Sequence, residues 1–440
     1  MALLVFVSLS ILVIAGLLVA RRIDFWQATF AYFLYALVLS SGPLSGYAAM
    51  GRVPLAVLLL ALTFRTVRHG QKRPWSSSLT TALWFCVVAA SLSILSSYAR
   101  IDTIVYTALL ILLVTLVQQV SHRRWSDTNA VVADLSVAFW AVSLFVVAGF
   151  ISSSIGIYPG GSTNRVAGFF GNPNMQGNIA ALAGLLGIYL WATRRNRIYL
   201  LFASALAVSA FFSGSRTAIA ALGVSVLVAI VFSTFRVKLV VIWIAGVLGC
   251  TLALVRPYSS IQGSTVASEL ASRVFSSDDL TLSNRTAVWD VALQLIVLNP
   301  YGLGFGVAPL YFSSSRDSLV SHLDRTSVHN SYLQWVLESG WMGAIPLTVL
   351  LCVLVLMVIA SGWHRRAVVL ATVILAGLLI QATESMIFGM GQVYPWLYWL
   401  IAGSVATLLD IGPPETEQKS GKSSERDKVL KSGSSDVNRG

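Results

Sequence analysis

The sequence predicts an all-α membrane protein, a polytopic helix bundle of about twelve or thirteen spans with one long extracytoplasmic loop that carries an amphipathic helix. Three observations predict it. Of 440 residues, 56% are hydrophobic and only 11% charged, where a soluble domain carries about 25% charged residues. Apolar stretches of ~18 residues or more, each long enough to cross a bilayer, recur along the whole length. A single long polar interval, residues 256–343, interrupts them.

Taken in order, the apolar stretches fall at 2–20, 25–41, 53–66, 79–97, 103–120, 131–152, 176–193, 198–212, 216–234, 239–255, 344–361, 367–388 and 393–409. The first ends at Arg21-Arg22 with neither a basic leader nor a small-residue cleavage site, so it reads as a retained span. We divide the chain into N-terminal spans (1–160), a second membrane region with the polar loop (161–409), and a Lys-, Ser-, Glu- and Gly-rich tail (410–440). The tail reads as disordered and cytoplasmic. Cys86, Cys250 and Cys352 all lie in apolar spans, as small core residues rather than a disulfide framework or a metal site.

The net charge of +12 would suggest nucleic acid in a soluble protein. Here it belongs to loops that set topology and meet anionic lipid, and nucleic acid is excluded as a partner. The basic clusters at Arg21-Arg22, 65–73, 122–124, 194–197, Arg236/Lys238 and 364–366 fall on alternate loops, which makes their side cytoplasmic. All six lysines share that side. The opposite face uses arginine alone, including Arg165, Arg216 and Arg285. Guanidinium forks bind phosphate bidentately and stay charged when partly desolvated. Some outer arginines simply snorkel; Arg216 and Arg285 call for another reason.

In Ser213-Gly214-Ser215-Arg216, Gly214 permits a tight reversal and Ser215 can cap the following helix. Arg216 then stands at the positive helix terminus as one wall of an anion site, or as a charge marking the membrane boundary. Between Arg285 and Leu298 the spacing predicts an amphipathic helix, with Asn284 as cap and Pro300 as stop. Thr286, Asp290 and Gln294 form its polar stripe. Val288, Trp289, Ala292, Leu293 and Ile296 cover much of the rest. Arg285 falls on the apolar side and needs an anionic partner. A lipid phosphate is the favoured one; an internal carboxylate such as Asp290 or Asp279 is the alternative. The glycines of Gly302-Leu303-Gly304-Phe305-Gly306 have no strand before them, so they read as a flexible turn approaching substrate or membrane rather than a dinucleotide loop.

His329 precedes the apolar segment 332–337 and sits at headgroup depth, where it can take a proton from an acceptor hydroxyl. Asn330 beside it can fix the ring. Glu338-Ser339-Gly340 then breaks the short helix, and such a break is tolerated in a membrane only where it lines a cavity. The outer loop 164–177 offers Arg165, Asn172 and Asn174 to sugar hydroxyls, with Phe169 and Phe170 for stacking; an amphipathic lip at headgroup level is the equal alternative. Trp289, Asn330 and Tyr332 complete the candidate substrate-binding set. No Cys/His cluster or spaced acidic pair suggests a metal, and no cofactor is expected.

These stretches resemble the O-antigen ligase / O-antigen polymerase superfamily with its Wzy-C region. The resemblance rests on Gly214-Ser215-Arg216-Thr217, on Asn284-Arg285-Thr286 followed by Trp289, and on Asn299-Pro300-Tyr301-Gly302-Leu303-Gly304. His329-Asn330-Ser331-Tyr332-Leu333 with Glu338-Ser339-Gly340 completes it. It implies a GT-C type glycosyltransferase of the plasma membrane with its active site on the extracytoplasmic face. The donor would be a polyprenyl-diphosphate-linked glycan and the acceptor a glycan or lipid, with Arg216 and Arg285 on the diphosphate and His329 as catalytic base. Transfer would be metal-independent and inverting. Ligation to a surface acceptor is the first reading and polymerisation of lipid-linked repeats the second. A transporter of lipid-linked sugars is the rival from another class. It should show internal repeats and ionisable residues along a membrane pathway. No repeat is visible, and Glu384 is the clearest ionisable residue inside a span.

Overall fold

The computed structural model describes residues 74–123, 128–157, 165–232, 285–314, 327–362, 367–388 and 393–411. Among them there are eleven α-helices and no strands. In chain order they are α1 (Pro74–Leu92), α2 (Arg100–Arg123), α3 (Thr128–Ser154), α4 (Pro173–Arg194), α5 (Ile198–Phe212) and α6 (Arg216–Phe232). Then follow α7 (Arg285–Leu298), α8 (Ala308–Ser314), α9 (Ser331–Ser361), α10 (Val368–Gln381) and α11 (Val393–Ile411). Five of these, α1 to α4 and α9, are long and apolar enough to cross a membrane, and α5, α6 and α10 are shorter apolar helices. The chain is an integral membrane protein of the predicted all-α class. The stretches at 2–20, 25–41, 53–66 and 239–255 and the tail from 412 lie outside the described residues.

α4 is the central rod. Every residue from Met175 to Leu190 is buried, and α3, α5, α6, α10 and α11 pack around it. Small residues make this possible, because membrane helices gain little from burying apolar surface and must approach closely. A Cβ at Gly177 would collide with Ser213 Oγ, and one at Gly187 would stand 2.8 Å from the Phe139 ring. The rod starts where Asn172 accepts hydrogen bonds from the Asn174 and Met175 amides and Pro173 occupies the first turn. On the periphery apolar side chains face outward instead. Val137, Leu144 and Ile151 recur at two-turn spacing along α3, and Ile345, Val349, Leu356 and Ile359 line α9. These are the lipid-facing stripes of a membrane bundle.

Asp410 joins the two ends of the described chain. Its carboxylate accepts from the Trp75 and Ser76 amides at 3.0 Å and from Ser76 Oγ at 2.5 Å. The first amides of α1, which have no partner inside the helix, are thereby satisfied by an anion at its positive end.

Two helices break. The first break is where the sequence puts it: the short helix holding 332–337 ends at Gly340 (φ 70°, ψ −171°), a conformation open only to glycine, and the next helical segment of α9 follows directly. The second departs from expectation. The predicted span at 367–388 ends early: α10 stops at Gln381, and 382–388 is an irregular turn leading to α11.

The glycine segment 302–306 repairs the first break. It is not the flexible turn the sequence suggested. Leu303 and Gly304 amides donate to the Leu337 and Glu338 carbonyls at 3.0 and 2.9 Å, and the Trp341 amide donates to the Pro300 carbonyl at 3.0 Å. The buried Glu338 carboxylate accepts from the Gly306 and Ala308 amides and from Gln334 Nε2. Gly302, Gly304 and Gly306 all have positive φ. Side chains there would strike, respectively, the α9 backbone, the Ser97 and Thr103 hydroxyls, and the Tyr106 ring. The described parts of the polar interval, 285–314 and 327–343, are therefore built into the bundle. α7 forms as expected, with Thr286, Asp290 and Gln294 exposed. Its buried face differs in detail: Leu293 is exposed, and Val291 and Leu295 pack with Leu303, Phe312, Val328 and Leu337 into a second small core.

Two stability outcomes follow from these contacts. Asp410→Ala uncaps α1 and is expected to cost about 1 kcal/mol, read as a lowered unfolding midpoint in detergent. Gly340→Ala forces a methyl into the Pro300–Gly302 backbone at a disallowed φ. It is expected to cost at least about 3 kcal/mol, seen as lost folded yield; an unchanged midpoint would contradict the stitched break.

Candidate functional site

The second break organises the site. The turn Thr383–Ser385, between α10 and α11, presents Glu384 with its side chain only 6% exposed. A buried carboxylate must be paired, and here three elements supply partners. Arg285, at the first turn of α7, places Nη2 3.0 Å from Oε1 and donates through Nη1 to the Thr383 carbonyl. Asn174, in the first turn of α4, donates from Nδ2 to Oε1 at 2.9 Å. His329, just before α9, sets Nδ1 3.4 Å from Oε2.

Each partner is held in turn. Arg165 donates from Nη2 to Asn174 Oδ1 at 2.6 Å and from Nε to the Ser213 carbonyl at 2.7 Å. A chain of cation, amide, carboxylate and cation thus runs Arg165–Asn174–Glu384–Arg285. The Trp289 indole donates to the Val328 carbonyl at 3.0 Å, fixing the backbone beside His329. His329 itself has φ 53°, an uncommon conformation for a residue with a Cβ. It is sustained because both flanks are tied: Val328 to Trp289, and the Asn330 amide to Ser385 Oγ at 3.1 Å.

Ser331 locks the turn to α9. Its hydroxyl bonds Gln381 Oε1 and the Glu384 carbonyl, and accepts from the Met386 and Ile387 amides at 2.8 and 3.2 Å. On the other side Thr217, second residue of α6, meets Thr383 through paired hydroxyls at 2.7 Å. That contact brings the α6 terminus carrying Arg216 to the same turn. Ser215 caps this helix as expected, accepting from the Ala218 amide at 3.3 Å. The corner is also tied by Asn178, which accepts from Ser215 and donates to the Met386 sulfur.

Five predicted residues therefore converge: Arg165, Asn174 and the pair Arg285–His329 around Glu384, with Arg216 on the adjoining helix end. Four others have other duties. Asn172 and Asn330 spend their side chains capping α4 and α9. Asn330 does not fix the histidine ring; Glu384 does. The Tyr332 hydroxyl donates to the Leu378 carbonyl at 2.6 Å, and Trp289 is engaged as described. Arg285 also differs from expectation. The anionic partner seen is an internal carboxylate, Glu384, rather than the exposed Asp290; Asp279 lies outside the described residues. Glu384 and Ser331 were missed as site residues. The signal for Glu384 was present, since an ionisable residue inside an apolar span marks a functional position by default.

The arrangement sets guanidinium donors and an imidazole around one carboxylate. Arg285 pairs with Glu384 directly, Arg165 reaches it through Asn174, and Arg216 stands on the adjoining helix end. Arg285 keeps further N–H donors beyond the two engaged. With Nδ1 directed at Glu384, Nε2 is the histidine nitrogen left for an incoming proton. Among the described residues no group of three or more His, Cys, Asp or Glu is placed to hold a metal ion.

Glu384→Ala should strand Arg285 as a buried unpaired charge at a cost of about 3 kcal/mol or more. Replacing both residues by apolar ones should recover much of that loss. Thermal unfolding of the single and double variants measures the coupling; equal midpoints for Glu384→Ala and wild type would remove the carboxylate from its central place.

Comparison with known proteins bears on the region holding most of these residues. Residues 201–348 match the family model described as O-antigen ligase. The match includes Arg216, Arg285, Trp289 and His329, while Arg165, Asn174 and Glu384 lie outside it. No curated protein matches the chain.

Proposed function

We propose that this chain, which the match over residues 201–348 assigns to the O-antigen ligase/polymerase family, transfers a glycan from a polyprenyl-diphosphate-linked donor to a surface acceptor. The active site is on the extracytoplasmic face of the plasma membrane. The observation that carries this reading is the single carboxylate, Glu384, that holds the His329 imidazole and the Arg285 guanidinium side by side.

The acceptor hydroxyl gives its proton to His329 Nε2 as its oxygen attacks the anomeric carbon of the donor sugar. The bond from that carbon to the diphosphate oxygen breaks, and its electron pair leaves with the lipid diphosphate. Attack opposite the leaving group inverts the anomeric centre. Arg285 and Arg216 stabilise the charge developing on the diphosphate. Glu384 orients the ring through Nδ1 and stabilises the imidazolium once it forms, as a carboxylate behind a histidine does in other transfer enzymes. Its second oxygen keeps Arg285 aimed. Arg165 and Asn174 extend the polar wall toward the sugar.

The test is transfer by the purified full chain in nanodiscs, supplied with a polyprenyl-diphosphate glycan and either a lipid acceptor or a second donor molecule. His329→Ala and Arg285→Ala are each expected to lower turnover by about 10²-fold or more, with folding intact. Glu384→Gln is expected to fall between these and wild type. The acceptor that works separates ligation from polymerisation. Near-normal turnover in His329→Ala would remove the base from the mechanism.

A further inference from the structure

The exposed side of α7 changes character along its length. Thr286, Asp290, Leu293 and Val297 are all exposed and share one stripe at helical spacing. The first half of that stripe is polar and the second half apolar, with Val297 71% exposed and Leu298 beside it exposed as well. The chain then turns at Pro300 and presents Tyr301, 70% exposed. The transfer chemistry draws on the other end of this helix, where Arg285 stands.

Two other segments meet the apolar end. The Trp341 amide donates to the Pro300 carbonyl at 3.0 Å, and Ser96 Oγ donates to the Tyr301 carbonyl at 2.9 Å. The Tyr98 amide donates to the Leu303 carbonyl at 2.8 Å. Each segment adds exposed apolar or aromatic side chains: Trp341 just past the break in α9, and Leu95, Tyr98 and Ile101 between and at the ends of α1 and α2. Arg100 and Asp102 are exposed on either side of Ile101. The patch lies at the same end of the bundle as the Glu384 turn. Asp410 pins the end of α11 to the start of α1, and the two helices pack together, so the start of α11 lies at the level of the end of α1.

We propose that this patch seats the second half of α7 in the lipid headgroup and upper acyl layer, so that α7 is an interfacial helix inserted by its C-terminal end. The depth is set by α9. From Trp341 to Ser361 this helix carries no charged side chain, and at helical rise that length is about 30 Å, the thickness of a hydrocarbon core. Trp341 therefore stands at the boundary, and Pro300 and Tyr301, bonded to its backbone and to Ser96, stand at the same level. The lipid-facing stripe of α9 that begins at Ile345 runs into the patch without interruption. Tyrosine and tryptophan, each with an apolar ring and a polar tip, favour this boundary, and Arg100 can reach headgroups and water from it. A second copy of the chain seated here would have to bury Arg100 and Asp102, which lipid headgroups leave solvated. Both ends of α7 are then held: Glu384 takes Arg285 at one, and lipid takes Val297 and Tyr301 at the other.

The inference stands apart from the proposed transfer, and its test needs no activity. The full chain, with Cys86, Cys250 and Cys352 each changed to serine, receives one new cysteine as Val297→Cys, Tyr301→Cys or Asp290→Cys. Each is labelled with a small fluorophore and placed in phosphatidylcholine nanodiscs. Lipid brominated in its acyl chains is expected to cause a loss of fluorescence at positions 297 and 301 that is absent at 290, and aqueous iodide the reverse. Iodide quenching at 297 and 301 equal to that at 290 places the patch in water and overturns the proposal. Silence toward both reagents means that protein covers the patch, and overturns it too. Tyr301→Asp in the otherwise native chain gives a second reading. A charge set into the lipid boundary is expected to lower the unfolding midpoint in nanodiscs by about 2 °C or more, while Tyr301→Trp leaves it in place. An unchanged midpoint for Tyr301→Asp, as at an ordinary water-exposed position, refutes the seating of this end in lipid.

Discussion

The structure depends on one buried carboxylate. Glu384 sits at 6% side-chain exposure with Arg285, Asn174 and His329 around it, each from a different part of the chain. Burying a carboxylate is so costly that its surroundings must be built to hold it. The ends of α4 and α7 and the start of α9 are fixed relative to one another by that requirement. α6 joins through the Thr217–Thr383 hydroxyl pair. The site residues are thus gathered by an electrostatic constraint rather than by sequence proximity.

That constraint is met in an irregular turn, and irregular backbone in a membrane protein must find its hydrogen bonds inside the protein. Both breaks obey this rule by different means. At Gly340 the 300–304 backbone supplies the missing partners to Leu337, Glu338 and Trp341. At 382–388 a side chain does so, the Ser331 hydroxyl accepting from Met386 and Ile387. The short first half of α9 lies between the two repairs and carries His329 at its start. A residue placed there is held from both ends, which accounts for the left-handed φ of His329 persisting.

In the transfer proposed above, positive charge beside His329 gives the site its chemical direction. Arg285 is held by Glu384 and Thr383, and Arg216 stands on a helix terminus beside the same turn. An anionic leaving group there would meet guanidinium groups already placed by folding. The O-antigen ligase family match covers the segment that carries His329, Arg285 and Arg216, and the carboxylate that joins them comes from outside that segment.

Much was legible in the sequence because membrane spans and helix caps are local. Apolar stretches identified α1 to α6 and α11 to within a few residues, and the part of α9 that follows its break at Gly340. The 3.6-residue period placed α7, and Ser215 was readable as a cap from its own neighbours. Arg285 was legible as a charge in need of an anion, because helical phase alone put it on the apolar side. Identifying that anion as Glu384, 99 residues further on, required the fold, since nothing local links the two. The same holds for the glycines of 302–306: their residue type showed that side chains were excluded, while the tertiary structure showed what excluded them, the broken backbone of α9. Asn330 and Tyr332 were legible as polar groups near the base, yet their partners lie in the backbone of α9 itself and in α10. Composition and period determine which segments enter the membrane and which positions need a partner. Only packing decides which partner each one meets, because a buried charge or an unpaired amide is satisfied by whatever the fold brings within about 3 Å.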